Sequence, residues 1–376
     1  MRRALELAER GWGRVAPNPM VGAVVVCGAD DRAGGADGPG GPGEVVGEGW
    51  FEGPRGRPHA EVKALQQAGD RARGATVVCT LEPCDHTAST PPCTRALIEA
   101  GVARVVVGAV DPNPLVNGRG LRALAAAGVE VVRGPLADEA HRLNAAFERH
   151  VTTGAPFVIL KMASSLDGRV AARDGSSRWI TGEEARADAH RLRSWSDAIV
   201  VGAGTVAADD PALTARDPAH PDATAPLRVV ADASGRLPAA GPLFDGAAPT
   251  LVATTDRAPD ARRAEWHRAG AEVQVLERDA TGGVALPALL AFLGSRDVQG
   301  VLLEGGPTLA WSAIRDGIVD RVVWYLAPVL VGGAQAPGAL GGEGFASIAD
   351  ALRLDLASVE RLGSDLRLEA DVHRDR

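Results

Sequence analysis

The stretch His59–Val110 decides the fold expected for the first half of the chain: HAEVKALQQAGDRARGATVVCTLEPCDHTASTPPCTRALIEAGVARVVVGAV. It alternates a helical pattern (HAEVKALQQAG), an apolar strand (ATVVCTLE), a second helix (CTRALIEAG) and a second strand (VARVVVGAV) at short spacing. The segments MVGAVVV and EVVGEGW precede it, and GLRALAAAG and VEVVRG follow it. Such alternation predicts a three-layer α/β/α domain with helices on both faces of a largely parallel sheet.

A second α/β series follows a break near Gly154, Ala155 and Pro156. The helical segment LADEAHRLNAAFERHVTTG leads to this break, and the strand PFVILKMAS restarts the pattern. Further strands are predicted at DAIVVGA, LRVVADA, TLVATT, AEVQVLE, VQGVLLEGG and VDRVVWYLAPVLVGG, and helices at TGEEARADAHRLRSW, APDARRAEWHRAG and PTLAWSAIRDG. Since 376 residues are many for one compact core, we predict two α/β domains, 1–151 and 152–376.

Composition and charge exclude several classes of partner. The formal charge of −8 and the pI near 5.6 give no whole-chain attraction for nucleic acid or an anionic membrane. No window resembles a signal peptide or a membrane span, so we expect a cytoplasmic protein, in which stable disulfides are disfavoured. The glycine-rich segment Gly28–Gly43 is predicted to be a loop between two strands.

Cys84 and Cys93 bracket a proline-rich turn, with eight residues between them. Zinc prefers thiolate and imidazole ligands, and catalytic zinc keeps one position open. His59 supplies the imidazole, and Glu61 follows it within one helical turn. A His-x-Glu before Pro-Cys…Cys is the signature of zinc nucleobase deaminases, in which the glutamate transfers protons and is not a ligand. The pattern therefore favours a catalytic zinc site.

Other interpretations of these residues remain open at the level of sequence. A disulfide between Cys84 and Cys93 is one, and a closed structural zinc site with His86 as fourth ligand is another. Cys27 and Cys79 lie in apolar strands and are expected to be buried thiols.

The N-terminal half resembles the bifunctional riboflavin-biosynthesis deaminase/reductase family. The resemblance lies in PHAE, TLEPC and TPPC at this long cysteine spacing, and in RALELA, APNPMVGAVVV and AVDPNPLVNGRG. It implies a cytidine-deaminase-like fold, zinc held by His59, Cys84 and Cys93, and Glu61 as the catalytic residue. It also implies that the amide of Asn18 contacts the pyrimidine ring, whereas turn chemistry alone would explain an asparagine at this place.

Three positions depart from the family pattern. Glu52 stands where the family usually has histidine, Ser89 where it has Lys or Arg, and Ala88 where it has Gly. We expect these changes to affect binding of a phosphorylated substrate, with Arg55 and Arg57 as candidate compensating cations. The metal ligands and the proton-transferring glutamate are intact.

The second half carries glycines where strands end, in VGAGTV and EGGPTL. Backbone amides at such turns can approach a phosphate closely, although glycine at a strand end is also common for packing reasons. Together with KMASSLDGRVA, DGSSRWITG and ADDPALTAR, these segments resemble the reductase half of the same family, which has a dihydrofolate-reductase-like α/β fold and uses NADPH. Ala233 stands where the family often has serine.

The resemblance carries two sets of site residues onto this half. The predicted NADPH contacts are Ala163, Trp179, Thr205, Asp209, Gly306, Pro307, Thr308 and Leu309. The predicted substrate contacts are Ser177, Arg193, Leu213, Arg216 and Glu304. Lys161 is added to them independently of the resemblance, because it is a lone lysine beside a predicted binding strand. Arginine suits a phosphate because its planar guanidinium donates two parallel hydrogen bonds.

The function implied is zinc-dependent removal of an amino group from a diaminopyrimidinone ribosyl phosphate, followed by NADPH-dependent reduction of the ribosyl to a ribityl chain. The expected partner is this small phosphorylated pyrimidine, with no nucleic acid and no membrane, and the chain is expected to form a homo-oligomer. The alternatives are a reductase with a weakened or altered deaminase, a tRNA or nucleoside deaminase fused to an unrelated α/β domain, and a zinc-stabilised binding module.

Overall fold

A computed structural model describes residues 1–27, 43–53, 57–87 and 90–373. The chain divides into two compact units, Met1–Gly154 and Ala155–Arg376. This division lies a few residues beyond the boundary expected at 151/152, because a helix continues to Thr153. Gly154 ends that helix with a left-handed φ of 73°, a conformation that glycine adopts without a Cβ penalty. The predicted loop Gly28–Gly43 lies outside the described residues except for Gly43.

The N-terminal unit is a five-stranded mixed sheet in the order β2-β1-β3-β4-β5. Its strands are β1 (Gly22–Val26), β2 (Val45–Trp50), β3 (Thr76–Leu81), β4 (Arg104–Ala109) and β5 (Glu130–Arg133). Its helices are α1 (Arg2–Ala8), α2 (Ala60–Ala68), α3 (Cys93–Glu99), α4 (Arg119–Ala126), α5 (Ala137–Leu143) and α6 (Ala145–Thr153).

The sheet of this unit is less parallel than predicted. β3, β4 and β5 pair in parallel, whereas β1 is antiparallel to both β2 and β3. The reason is that β1 and β2 form a hairpin. The connection from β2 to β3 then runs through α2 and passes over β1, so β3 is parallel to β2 and antiparallel to β1. The α/β class is confirmed.

Close packing of α2 on β2 fixes the helix start that carries the candidate site. A Cβ built on Gly47 would lie 2.1 Å from the Ala64 carbonyl oxygen, and one on Gly49 would lie 2.1 Å from that of Ala60. Only glycine permits this approach of helix backbone to strand. Ala60 and Ala64 are fully buried in the core of the unit, so α2 cannot shift along the strand without a clash.

The C-terminal unit is a nine-stranded sheet in the order β10-β9-β8-β7-β11-β6-β12-β14-β13. Its strands are β6 (Phe157–Ser165), β7 (Ala198–Gly202), β8 (Leu227–Asp232), β9 (Thr250–Thr254), β10 (Glu272–Val275), β11 (Gly300–Leu303), β12 (Arg321–Ala327), β13 (Leu354–Leu362) and β14 (Asp365–Val372). Its helices are α7 (Glu183–Trp195), α8 (Ala203–Asp209), α9 (Asp260–Arg268), α10 (Leu286–Gly294) and α11 (Pro307–Arg315).

Pairing is parallel from β10 through β12, and the terminal hairpin β13–β14 adds two antiparallel pairings. Four of these elements, α8, α10, β13 and β14, were not predicted. α8 is a short helix of seven residues after a glycine-containing strand end. α10 (LPALLAFLG) is apolar on all sides, so it lacks the amphipathic period that marks a surface helix. Among the described residues, no helix is long and apolar enough to cross a membrane.

Candidate active sites

His59, Cys84 and Cys93 meet in the N-terminal unit. Their ligand atoms all lie within 4.8 Å of one another, with His59 Nδ1 3.1 Å from Cys93 Sγ and 3.6 Å from Cys84 Sγ. One imidazole nitrogen and two sulfurs are the donor set that zinc prefers, and three protein ligands leave a fourth position open. Within the described part of the chain His86 does not join this group, so the arrangement fits an open zinc site better than a closed one. All four cysteines are free, which contradicts the disulfide alternative.

Three different elements bring these ligands together. His59 is the residue immediately before α2, Cys84 follows the end of β3, and Cys93 is the first residue of α3. The turn between the cysteines is held by backbone amides, since Cys93 N–H donates to Cys84 Sγ (3.5 Å) and Thr94 N–H donates to the Cys84 carbonyl (3.2 Å).

The two sulfurs differ in their electrostatic surroundings. Hydrogen bonds from Cys93 and from His59 lower the pKa of Cys84 to about 4. The pKa of Cys93 is raised, because it shares a proton with Cys84 and is buried. These hydrogen bonds therefore favour the thiolate of Cys84, which is the form that binds metal.

Glu61 lies in the first turn of α2 and is only 3% exposed. Burial raises the pKa of its carboxyl to about 7. A bound cation beside His59 would act in the opposite direction, since an opposite charge favours the carboxylate. A carboxyl that can be either protonated or ionised near neutral pH is suited to carrying a proton in both directions.

Two contacts of His59 were not predicted from sequence. Its Nε2 lies 3.3 Å from Thr90 Oγ1, on the opposite side of the ring from the sulfurs. Such a partner fixes the ring orientation of a metal-binding histidine. Phe51 packs edge-on against the same ring, with centroids 5.7 Å apart. The TPPC segment contains Thr90, and a hydroxyl in the turn between two candidate ligands is the signal that could have identified it.

Glu52 is paired with the only lysine of this unit. Lys63 Nζ lies 2.8 Å from Glu52 Oε1, and this hydrogen bond lowers the pKa of Glu52 against the opposing effect of burial. The charges of Arg57 and Arg14 also act on Glu52. Arg55, Ala88 and Ser89 lie outside the described residues. Asn18 Nδ2 donates a 3.4 Å hydrogen bond to the Val15 carbonyl within its own turn, so its contact with a pyrimidine stays a prediction.

In the C-terminal unit, the predicted residues gather at the carboxyl ends of three adjacent parallel strands, β7, β11 and β6. This edge is where open α/β sheets bind ligands. Leu303 of β11 pairs in register with Leu160 of β6, which places Glu304 beside Lys161. Burial lowers the pKa of Lys161, and the charge of Glu304 opposes that effect. Lys161 Nζ also lies 5.8 Å from the centroid of the Tyr325 ring.

Arg193 and Glu304 form a bidentate ion pair. Arg193 Nε and Nη2 donate to Glu304 Oε1 (2.6 Å) and Oε2 (2.8 Å), and Nη1 donates to the Thr214 carbonyl (3.2 Å). Both side chains are largely buried, at 18% and 9% exposure. The guanidinium fork of Arg193 is therefore directed at a carboxylate of the protein, and a phosphate contact for this residue stays a prediction.

The turns after β7 and β11 fit a cofactor with phosphate groups. Gly306 N–H donates to Thr205 Oγ1 (3.1 Å), which ties the start of α11 to α8. A Cβ built on Gly202 or Gly204 would meet nothing within 4 Å, so the space beyond these turns is open. Pro307, Thr308 and Leu309 form the first turn of α11, whose backbone amides and dipole favour an anion.

The remaining predicted residues lie on β6, on α8 or in the segments that flank α7 and α8. Ala163 is on β6, Asp209 ends α8, Ser177 and Trp179 are in the segment before α7, and Leu213 and Arg216 follow α8. Trp179 is 70% exposed, and the Arg186 guanidinium lies 4.6 Å from its ring centroid. A large exposed aromatic side chain is unusual at a protein surface without a partner, which is consistent with a ligand contact.

His190, which sequence analysis did not single out, lies beside two of the predicted substrate residues, Arg193 and Arg216. Its Nε2 lies 3.0 Å from Arg216 Nη2 and its Nδ1 lies 3.1 Å from the Thr214 carbonyl, the same carbonyl that Arg193 contacts. Burial and the charges of Arg193 and Arg216 lower its pKa, so the ring is neutral at pH 7. The signal in the sequence was its position three residues before Arg193, on the same face of α7.

The fold and the two sites define a class of protein: an enzyme with a zinc-deaminase domain joined to a separate α/β reductase domain. The family described as the cytidine and deoxycytidylate deaminase zinc-binding region matches residues 1–109, and the RibD C-terminal domain family matches residues 156–368. The chain therefore belongs to the RibD family of bifunctional riboflavin-biosynthesis enzymes.

Relatives support this assignment over the full length. The riboflavin biosynthesis protein RibD of Bacillus amyloliquefaciens is 40% identical, covering 100% of this chain and 99% of the relative. RibD of Escherichia coli K12 is also 40% identical, with coverage of 98% and 97%. Acinetobacter baumannii RibD has a solved structure that is 38% identical, with a TM-score of 0.82 and coverage of 99% and 98%.

A Thermotoga maritima structure is 34% identical, with a TM-score of 0.82 and coverage of 99% and 97%. It is described as a diaminohydroxyphosphoribosylaminopyrimidine deaminase/5-amino-6-(5-phosphoribosylamino)uracil reductase. The predicted family and fold class are thus confirmed. The alternative of a deaminase fused to an unrelated α/β domain is wrong, because residues 156–368 match the reductase domain of the same family.

Proposed function

We propose that the chain carries out two successive steps of riboflavin biosynthesis. The N-terminal unit hydrolytically deaminates 2,5-diamino-6-(5-phosphoribosylamino)pyrimidin-4-one, and the C-terminal unit reduces the ribosyl group of the product to a ribityl chain. The observation that carries the first step is the convergence of His59, Cys84 and Cys93, with the buried carboxyl of Glu61 on the same helix start.

In the deaminase, His59, Cys84 and Cys93 would hold the metal. Zinc, when bound there, supplies Lewis-acid chemistry that makes water a nucleophile near neutral pH. Glu61 accepts a proton from the attacking water and delivers it to the departing amino group, and its burial keeps bulk water from competing for that proton. Thr90 keeps the imidazole of His59 turned toward the sulfurs.

In the reductase, NADPH supplies the hydride, and the protein supplies orientation and charge. Thr205 and the first turn of α11 would hold the cofactor phosphates, and Trp179 would contact the cofactor. Lys161, Glu304 and Arg216 orient the ribosyl phosphate. Because Glu304 is fixed by Arg193, its carboxylate keeps one orientation while the sugar changes from closed ring to open chain.

The partner proposed is a small phosphorylated pyrimidine in the cytoplasm, and the oligomeric state proposed is a homo-oligomer. The edge strand β13 supports the latter, since Leu354, Leu356 and Val359 on it are 43%, 63% and 53% exposed. An exposed edge strand with apolar side chains is a common site of association between copies of a chain.

The deciding experiment supplies the diaminopyrimidinone ribosyl phosphate to zinc-loaded enzyme with and without NADPH. Ammonia release is followed separately from NADPH absorbance. We expect ammonia without NADPH, and NADPH oxidation only after deamination. NADPH oxidation with added aminouracil ribosyl phosphate, but no ammonia from the diaminopyrimidinone, would instead support a reductase whose deaminase unit is weakened or altered.

A further inference from the structure

Glu82 occupies an unusual place next to the candidate zinc site. It follows β3 directly, two residues before Cys84, and is only 4% exposed. Its backbone N–H continues the sheet by donating to the Ala109 carbonyl at the end of β4 (2.9 Å). Ionised carboxylates are almost never buried to this degree unless their oxygens are satisfied, so the partners of Glu82 identify its role.

Those partners are four backbone amides of one segment, residues 111–121. Glu82 Oε2 accepts from Gly118 N–H (2.8 Å) and Asp111 N–H (3.3 Å). Glu82 Oε1 accepts from Gly120 N–H (2.9 Å) and Leu121 N–H (3.4 Å). The carboxylate therefore caps the start of α4, which begins at Arg119, from a different strand, and the helix dipole favours its negative charge.

The backbone is shaped for this contact. A Cβ on Gly120 would lie 1.9 Å from the Pro83 carbonyl oxygen and 3.3 Å from Glu82 Oε1, so only glycine lets α4 approach the Glu82–Cys84 turn this closely. At its other end the segment is stiffened from within, because Asp111 Oδ1 accepts from Asn113 N–H (2.8 Å) and Asn113 Oδ1 accepts from Leu115 N–H (3.0 Å).

The held segment faces the turn that carries Cys84. Asp111 is 7% exposed, and its N–H lies 3.3 Å from the carboxylate of Glu82, two residues before Cys84, while Gly120 approaches the carbonyl of Pro83, the residue next to Cys84. By contrast, the metal-ligand turn has its own backbone bonds through Cys93 and Thr94, and Glu82 makes none of them. Glu82 thus fixes residues 111–118 against the site without holding the ligands themselves.

We propose that Glu82 is a positioning residue of the deaminase: its carboxylate holds residues 111–118 as a rigid wall beside the zinc site, and that wall sets the affinity for the pyrimidine substrate. This inference rests on the proposed deaminase function. It assigns Glu82 to substrate binding through the wall, and it leaves metal binding to His59, Cys84 and Cys93 and proton transfer to Glu61.

The test compares full-length, zinc-loaded wild type with Glu82→Gln. Glutamine has the same shape but one acceptor oxygen, and its NH₂ group would face backbone N–H donors. We expect KM for the diaminopyrimidinone to rise about tenfold or more, as for the loss of hydrogen bonds to a buried carboxylate. The change in kcat should be much smaller, zinc content should be full, and the Gly118, Gly120 and Leu121 amides should exchange hydrogen faster. Reductase activity in the same molecule should be unchanged.

Glu130→Gln is the matched control, because Glu130 is an exposed β5 residue of the same unit whose partner is Arg104 on β4. It should leave KM, kcat and exchange at wild-type values. If Glu82→Gln cannot be obtained folded, Glu82→Asp replaces it; its carboxylate is one methylene shorter, and a smaller rise in KM is expected.

An unchanged KM in the folded variant would overturn the inference, and so would loss of zinc or of kcat with KM unchanged, which would assign Glu82 to the metal ligands instead. Wild-type enzyme that releases no ammonia would count against the proposed function and not against this inference.

Discussion

The two units of this enzyme assemble their sites in different ways. In the N-terminal unit, the proposed metal ligands and the acid–base residue come from one stretch, His59 to Cys93, and their atoms meet within 4.8 Å or lie in the adjoining helical turn. In the C-terminal unit, the predicted contacts are spread from Lys161 to Leu309 and meet only because β7, β11 and β6 are neighbours in the sheet.

The electrostatics of the two sites differ as well. Glu61 is buried and has no ion-pair partner among the described residues, and burial raises its pKa to about 7. The buried Glu304 is paired with Arg193, and its pKa is lowered despite burial. A buried carboxyl with a raised pKa, such as that of Glu61, can exchange protons near neutral pH. A carboxyl paired with an arginine, such as that of Glu304, remains an anion that can orient a ligand. This difference supports the proposed roles, proton transfer for Glu61 and ligand positioning for Glu304.

The largest effect is expected from Glu61→Gln. The amide cannot carry a proton, so ammonia release should fall by about 10²–10⁴-fold, while zinc content and NADPH-dependent reduction of added aminouracil ribosyl phosphate stay at wild-type levels. Steady-state ammonia release and metal analysis measure this. Glu99→Gln, which changes an exposed carboxylate of α3 paired with Arg95, is the control. If Glu61→Gln still releases ammonia at the wild-type rate, Glu61 does not transfer the proton, and the proposed difference in role between Glu61 and Glu304 is wrong.

Next in size is Glu304→Gln, which leaves the Arg193 cation buried without its partner. We expect the free energy of unfolding of the C-terminal unit to fall by roughly 3–5 kcal/mol, with a large loss of NADPH-dependent reduction and no effect on ammonia release. Denaturant unfolding and NADPH absorbance provide the measurements. Glu272→Gln breaks the exposed pair with Arg296 and should cost only about 0–1 kcal/mol. If the free energy of unfolding falls equally in Glu304→Gln and Glu272→Gln, burial does not make the Arg193–Glu304 pair more important than an exposed pair.

The N-terminal site could be predicted from the sequence because its chemistry is local. His-x-Glu and the two cysteines indicate the candidate metal ligands by residue type. The alternation of helices and strands around them indicates the fold class. What could not be predicted is the long-range part. Two contacts belong to this part: Thr90 with the His59 ring, and Glu82 with the start of α4. They depend on how separate segments pack, and the spacing of residues in the sequence does not predict them.

For the C-terminal unit, the sequence indicated strands and glycines, while the site came from family resemblance. Neither source predicted that the Arg193 guanidinium pairs with the Glu304 carboxylate, because the two residues are more than a hundred positions apart in the chain. The terminal hairpin was missed for a related reason. Several β13 residues are exposed, so its sequence carries little of the apolar alternation that marks a half-buried strand.

A smaller effect is expected from Thr205→Val, which keeps the shape of the side chain but removes the acceptor for Gly306 N–H. A neutral hydrogen bond contributes about 1 kcal/mol, so KM for NADPH should rise about fivefold. Thr205→Ser retains the hydroxyl and should stay near wild type. If serine and valine behave alike, the contact between α8 and α11 does not shape the cofactor site, and the open glycine turns alone must do so.

The smallest effect is expected at Glu52, where the deaminase unit departs from its family. Its carboxylate binds Lys63 and is surrounded by the charges of Arg57 and Arg14, so it competes with a substrate phosphate for these cations. Glu52→Gln should lower KM for the phosphorylated substrate, up to about fivefold, since one charge ~4 Å away in water is worth about 1 kcal/mol.

The effect of Glu52→Gln should shrink as salt is added, because the residues involved are partly exposed and their charges are screened over about 10 Å at 0.1 M. Glu44→Gln, which breaks the exposed pair with Arg71, is the control and should leave KM unchanged at every ionic strength. A KM that rises in Glu52→Gln would mean that the carboxylate itself contacts the substrate. Glu52 would then take over the substrate contact expected of the histidine that the resemblance implies at this position. The N-terminal unit would position its substrate with a carboxylate, as is proposed for Glu304 in the C-terminal unit.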